Sequence, residues 1–212
     1  MTLAQESSRM RSKVIGFLFL VAVSLPYAHG QVVAAGHGRP LHFPIAVGFG
    51  GSDFSADWGR DQYGSVHRIN GITAWVNTDI PVVSRHLKGL ALEIEGRDLN
   101  YGKPVGLSRL RFDTLLGGVN YTYRTPFRIR PYGKFLAGMG SLDFPPAGNY
   151  SHDTRTVMAP GFGIEAKLWG PLWVRGDYEY QFWPKLFGPH TLNPNGFSFG
   201  VEFDSRTLGG NQ

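Results

Sequence analysis

Two stretches near the C-terminus alternate almost without exception. In Val174-Arg175-Gly176-Asp177-Tyr178-Glu179-Tyr180-Gln181-Phe182, one face is Val, Gly, Tyr, Tyr, Phe and the other Arg, Asp, Glu, Gln. In Phe197-Ser198-Phe199-Gly200-Val201-Glu202-Phe203, one face is Phe, Phe, Val, Phe and the other Ser, Gly, Glu. Period two is the repeat of a β-strand with one apolar and one polar face. Aromatics on one side and charges on the other is the pattern of a strand in a membrane-spanning β-barrel. No apolar run of 18 residues exists in the chain. Since only helices and closed barrels satisfy their backbone in lipid, a membrane protein with this sequence must be a barrel.

The N-terminal 30 residues read as a signal peptide. Arg9, Arg11 and Lys13 form a positive region, and Val14 to Leu25 is an apolar core too short to span a bilayer. Ala28-His29-Gly30 offers small residues for cleavage before Gln31, with an uncleaved anchor as the alternative. The chain then divides into a short periplasmic segment (31–42), a barrel (43–204) and a C-terminal tail (205–212). The 21 basic and 16 acidic residues leave about +3 after the leader, unclustered, which gives no case for nucleic acid. With no Cys there is neither a disulfide nor a lipoprotein anchor, so backbone pairing and packing must hold the fold.

Eight alternating segments are expected: Phe43 to Phe54, Arg68 to Thr78, Gly89 to Arg97, Leu110 to Arg124, Ile129 to Ser141, Val157 to Trp169, and the two stretches above. In the fourth, Arg111 and Asp113 fall on the apolar parity, which predicts either a bulge or a strand rising out of the bilayer. Long polar stretches follow every odd segment: Ser55 to His67, Asp98 to Arg109, Leu142 to Thr156 and Trp183 to Asn195. Thr125-Pro126-Phe127 and Gly170-Pro171 are tight turns, and Asp79 to Lys88 is intermediate. Long loops at one end and short turns at the other is the outer-membrane layout, with the short turns in the periplasm.

The direction of the faces is a separate question. A secreted lipocalin-like barrel also has eight alternating strands, but with its apolar face inside. Packing Tyr178, Tyr180, Phe182, Phe197, Phe199 and Phe203 inward from two neighbouring strands would crowd so narrow an interior. The apolar face is therefore expected to meet lipid. Glu93, Glu95, Lys134, Glu165, Lys167, Arg175, Asp177 and Glu179 are expected inside, where opposite charges can pair. Tyr121, Tyr123, Trp169, Trp173, Tyr178, Tyr180, Phe182 and Trp183 are expected in interfacial girdles.

From Phe43 to Asp204 the chain resembles the small outer-membrane β-barrel family of the OmpA/OmpX type. The resemblance is carried by Leu115-Leu116-Gly117-Gly118-Val119-Asn120-Tyr121-Thr122-Tyr123, by Ile129-Arg130-Pro131-Tyr132-Gly133-Lys134 and by Gly196 to Phe203. It implies an all-β fold, an eight-stranded antiparallel up-and-down transmembrane barrel in the bacterial outer membrane. It also implies two partners, outer-membrane lipid with lipopolysaccharide and the barrel-assembly machinery. Nine residues follow Phe203, too few for the peptidoglycan-binding domain that OmpA itself carries.

Other motifs have ordinary readings. Gly196-Phe197-Ser198-Phe199-Gly200 matches the nucleophile elbow G-x-S-x-G, but that motif needs a strand-to-helix turn and here lies within a strand. His190-Thr191-Leu192 is similar to a segment of the lipid A deacylases, which place a Ser two residues after the catalytic His where this chain has Leu192. His37, His42, His67, His86, His152 and His190 show no metal-ligand spacing. Gly48 to Gly51 and Gly161 to Gly163 open no helix and read as thin strands. No catalytic, cofactor-binding or metal-binding residue is therefore expected. The leading expectation is a non-enzymatic structural or surface-interaction barrel with a filled polar lumen, acting through four long extracellular loops. The alternatives are a small pore, a ligand-carrying barrel, and a lipid A-modifying enzyme.

Overall fold

The computed structural model describes residues 44–57, 68–80, 87–100, 111–144, 151–186 and 190–207. The strands are β1 (Ile45–Ser55), β2 (Arg68–Asp79), β3 (Leu90–Asn100), β4 (Arg111–Thr122), β5 (Ile129–Phe144), β6 (Ser151–Trp169), β7 (Leu172–Tyr180), β8 (Trp183–Leu186), β9 (His190–Leu192) and β10 (Asn195–Asp204). Strands β1 to β7 and β10 close into an antiparallel barrel, ordered β1-β10-β7-β6-β5-β4-β3-β2. Closure is the pairing of β1 with β10, from Ala46 opposite Asp204 to Ser55 opposite Asn195, so the sheet has no free edge. The expected signal peptide and periplasmic segment lie outside the described residues. Of the tail, Ser205–Thr207 forms a 3-10 turn, pinned where the Ser205 hydroxyl donates to the Ile45 carbonyl at 2.6 Å.

The faces point as the periodicity requires. Leu92, Ile94, Phe199 and Val201 are exposed on the outer wall, and Leu90, Val174 and Tyr178 are half-exposed there. Their neighbours Glu93, Glu95, Arg175 and Asp177 are buried inside. A wall of exposed Phe, Ile, Leu and Val around a charged interior is the inverse of a lipocalin-like barrel and suits hydrocarbon outside. The tight turn between β6 and β7 uses Gly170 at φ 54°, in the left-handed region that favours glycine.

Near the long-connection end the polarity inverts. There the outward positions are Asp53, Ser55 and Arg68, then Asp98, Arg111 and Asp113, then Ser141 and Asp143. The inward positions are Phe54, Ile69, Leu99, Phe112, Leu116, Leu136, Leu142 and Val157, all buried in one cluster with Trp183. Arg111 reaches Asp98 at 3.3 Å and Asp113 at 2.8 Å on the outside. The register of β4 runs unbroken from Arg111 to Tyr121 with β3 and to Thr122 with β5, so this parity marks a strand leaving the bilayer, not a bulge. Above the lipid band the barrel packs like a soluble one, dry inside and wet outside.

Two expected loops contain more strand than their polarity implies. Leu142 to Thr156 continues the β5–β6 ladder as far as Phe144 opposite Ser151, leaving only residues 145–150 between the strands. Within Trp183 to Asn195, β8 and β9 form a separate two-stranded ribbon. Alternation persists in the first of these, but its outer face is polar because it meets water.

Candidate functional site

The chemistry-bearing side chains converge inside the barrel. Midway along it, the Arg175 guanidinium lies between Glu93, at 2.7 and 3.1 Å, and Asp177, at 3.3 Å. Its Nε donates to the Tyr132 hydroxyl at 2.6 Å, and that hydroxyl donates to Asp177 Oδ2 at 2.8 Å. The Trp75 and Tyr132 rings flank the same guanidinium at 4.8 and 4.5 Å. Asn120 Nδ2 donates to Glu93 at 2.6 Å.

One layer toward the long-connection end, Lys134 Nζ is shared by three carboxylates: Glu95 at 2.6 Å, Glu179 at 2.9 Å and Asp177 at 3.1 Å. Arg97 Nη1 donates to Glu179 at 2.7 Å, and Arg97 also pairs with Glu95. Its ring-facing side lies over Phe54, 4.3 Å from the centroid. The polar layer is tied to the apolar cap above it by a relay in which Trp183 Nε1 donates to Gln181 at 2.9 Å and Gln181 Nε2 donates to Glu179 at 2.7 Å.

At the short-turn end, Arg130 reaches Glu165 at 3.0 Å and Asp204 at 3.1 Å and stacks over Trp173 at 3.4 Å. Arg206 joins Asp204 at 2.6 Å and Asp79 at 3.0 Å. Trp75 Nε1 donates to Glu202 at 2.7 Å. Charge pairs thus occupy the interior from one end to the middle, and close-packed carbon occupies the rest.

Of the expected interior charges, Glu93, Glu95, Lys134, Glu165, Arg175, Asp177 and Glu179 are buried and paired with opposite charge. Lys167 is exposed instead. It sits beside the β6–β7 turn, where the register shifts between Lys167 and Trp169, and its Nζ lies 5.7 Å from the Trp173 ring. Two expected girdle residues are also interior: Trp173 and Trp183 are buried, whereas Tyr121, Tyr123, Trp169 and Phe182 are exposed on the wall. Arg97, Arg130, Glu202, Asp204 and Arg206 complete the network without having been singled out. The first four share the inward parity of Glu95, Lys134 and Ser198, which is the signal that identifies them.

Ser198, the centre of the elbow-like motif, points inward from the middle of β10. Its hydroxyl lies 2.8 Å from that of Ser52 and accepts from Arg97 at 3.3 Å, an arrangement of interior packing. Among the described residues no group of three or more His, Cys, Asp or Glu side chains is placed to hold a metal ion.

A family model described as outer membrane protein beta-barrel domain matches residues 15–204. Neisserial surface protein A has the same fold, with 12% identity, a TM-score of 0.54 and coverage of 77% of this chain and 97% of that one. Ail, the attachment invasion locus protein of Yersinia pestis, aligns with 16% identity and a TM-score of 0.51 over 76% of this chain and 95% of that one. In complex with the heparin analogue sucrose octasulfate, Ail aligns with 16% identity and a TM-score of 0.50, over 76% and 96%. No curated protein sequence matches the chain.

Proposed function

The chain belongs to the outer membrane protein beta-barrel domain family, and from that premise we propose that it is a non-conducting barrel of the bacterial outer membrane with a structural or surface-interaction role. The observation that carries this reading is the interior network of Lys134, Arg97 and Arg175 with Glu93, Glu95, Asp177 and Glu179. An ion crossing it would have to separate buried pairs, which costs several kcal/mol for each charge stripped of its partner. A wall meeting lipid and an interior closed to solutes leave the long connections as the part free to vary with function. Outer-membrane lipid with lipopolysaccharide is the partner of the wall, and the barrel-assembly machinery the partner in biogenesis. Ail has been seen with a sulfated sugar analogue; at 16% identity the scaffold is what this chain has in common with it.

Reconstituted in a planar bilayer, the protein is expected to give no steady current. A large, stable single-channel conductance at neutral pH would replace this reading with the pore.

The long connections are assigned to the cell exterior because short turns face the periplasm in this class of barrel. Trypsin added to intact cells is expected to cut after Lys185, which is exposed in the β8–β9 ribbon, or after Arg60, which lies outside the described residues. Arg155 is expected to resist, because it is held in the β5–β6 ladder opposite Gly140 and pairs with Asp153 at 3.0 Å. Cleavage confined to the turn around Arg124 and Arg128 would show the barrel inverted, and the surface role would fall with it.

A further inference from the structure

We propose that Thr154, His152 and Asp143 form a catalytic triad on the outside of the barrel that hydrolyses acyl esters. His152 and Thr154 stand two apart on β6 and share its outward face, and Asp143 lies directly opposite His152 on β5. His152 Nδ1 is hydrogen-bonded to Asp143 Oδ1, and His152 Nε2 lies 3.1 Å from Thr154 Oγ1. An ionised carboxylate only accepts, so it holds the ring proton on Nδ1 and leaves Nε2 to accept from the Thr154 hydroxyl. Acid, base and hydroxyl in that order is the arrangement that nucleophilic acyl transfer requires. The His152 side chain is 50% exposed, so a substrate can reach it.

Elsewhere the polar collar is held by guanidinium–carboxylate pairs, Arg68 with Asp53 and Arg111 with Asp98 and Asp113. An arginine at position 152 would neutralise Asp143 equally well, but a guanidinium does not give up its proton. An imidazole takes a proton and returns it near neutral pH. Its second nitrogen is here committed to a hydroxyl on the same face. Ser141 is opposite Thr154 in register and also points outward. Directly opposite residues have Cβ atoms about 4.5–5.5 Å apart, so a carbonyl carbon bonded to Thr154 Oγ1 holds its oxygen within reach of the Ser141 hydroxyl. That hydroxyl is the donor for the oxyanion.

The height of the triad selects the substrate class. Leu115, Met139 and Met158 are exposed apolar side chains of the lipid band on β4, β5 and β6. Ser141, opposite Thr154, is two residues beyond Met139, roughly 7 Å along the strand. The polar interface of a bilayer extends about 5–8 Å beyond the hydrocarbon on each side, and the acyl esters of membrane lipids lie at that boundary. Thr154 Oγ1 adds to the ester carbonyl carbon as its proton passes to His152 Nε2. The adduct expels the lipid alkoxide, which takes that proton and leaves as the alcohol, while the acyl group remains as an ester of Thr154. Water then adds to this ester and gives a proton to His152. The bond from the acyl carbon to Thr154 Oγ1 breaks, the proton returns to Oγ1, and the fatty acid leaves. Water is the one co-reactant. The activity goes beyond the role proposed above; the leaflet it serves follows the orientation of the barrel, whereas the chemistry does not.

The test is fatty-acid release by the purified protein in mixed micelles of nonionic detergent with phosphatidylethanolamine or with purified lipid A. Wild type is expected to release fatty acid, and whichever lipid is cleaved names the source of the ester. Thr154→Ala and His152→Gln are each expected to lower the rate about a hundredfold or more. Both are expected to keep the gel shift between folded and heat-denatured forms, because the two side chains are exposed. Thr154→Ser keeps the nucleophilic hydroxyl and is expected to retain turnover. Asp143 is a positioning residue. Asp143→Asn is expected to lower kcat with KM unchanged, because an amide can donate to Nδ1 and leave the ring proton on Nε2, where it blocks proton uptake. A fluorophosphonate probe is expected to form one adduct, on Thr154, in wild type and none in His152→Gln. Folded wild type that releases no fatty acid from either lipid would overturn the triad, as would wild-type turnover in Thr154→Ala. Neither result bears on conductance, so failure of the triad and failure of the non-conducting barrel are read separately.

Discussion

Lys134→Met is expected to destabilise the barrel by about 3–5 kcal/mol, the usual cost of breaking a buried ion pair from one side. The ammonium is the shared partner of Glu95, Glu179 and Asp177, all within 3.1 Å and all buried. Met preserves most of the side chain's length, so the loss is of charge more than of volume. The remaining cations have limited capacity to take over. Arg97 already serves Glu95 and Glu179, and Arg175 already serves Glu93 and Asp177. Adding Glu95→Gln to Lys134→Met removes part of the excess negative charge and is expected to recover part of the loss, a coupling that a double-mutant cycle reads directly. The midpoint of unfolding in urea, followed by the gel shift between folded and heat-denatured forms, measures both. The contrast is Arg68→Gln on the outside, where both partners are about half exposed; there the expected change is below about 1 kcal/mol. If Lys134→Met behaves like Arg68→Gln, the interior is hydrated and the filled-lumen reading fails.

What the sequence discloses and what it hides divide along a physical line. The faces of β7 and β10 are legible because lipid on one side and a narrow interior on the other impose opposite chemistry on successive residues, and period two records it. Two departures arise where residue type and parity disagree. Trp173 has the parity of Arg175 and Trp183 that of Gln181, so both point inward as the alternation requires. Aromatic character alone points to a girdle, and position overrides it. Lys167 has inward parity, yet it lies at the end of its ladder, where the register shift lets the side chain leave. Leu142 to Thr156 reads as loop because strands above the bilayer have a wet outer face, and polarity alone does not distinguish that from a connection. The partners within the network are less legible still. Lys134 meets residues of β3 and β7, strands that do not adjoin β5, and such contacts across the interior depend on how the strands are staggered around the closed barrel.

Trp183→Ala is expected to cost about 3–5 kcal/mol, the range for deleting a fully buried Trp from a core. Trp183 has no exposed surface and anchors the apolar cap, its ring 4.3 Å from that of Phe112. Its indole N–H also donates to Gln181, so truncation leaves a buried acceptor without its donor. Gly140 supplies an independent test of the same seat. A Cβ built on Gly140 would lie 2.1 Å from the Trp183 ring, so Gly140→Val must displace the indole even though it adds apolar volume. Ordinary strand propensity favours valine at such a position; the packing here predicts a loss instead, with faster tryptic cleavage after Lys185 as the ribbon beginning at Trp183 loosens. Wild-type stability in Gly140→Val would show that the indole is not seated there. Both variants are expected to remain silent in planar bilayers, because the Lys134 layer below the cap is untouched. The cap and the ion pairs are therefore barriers in series: loss of either lowers stability, and a path for ions is expected only when both are disrupted.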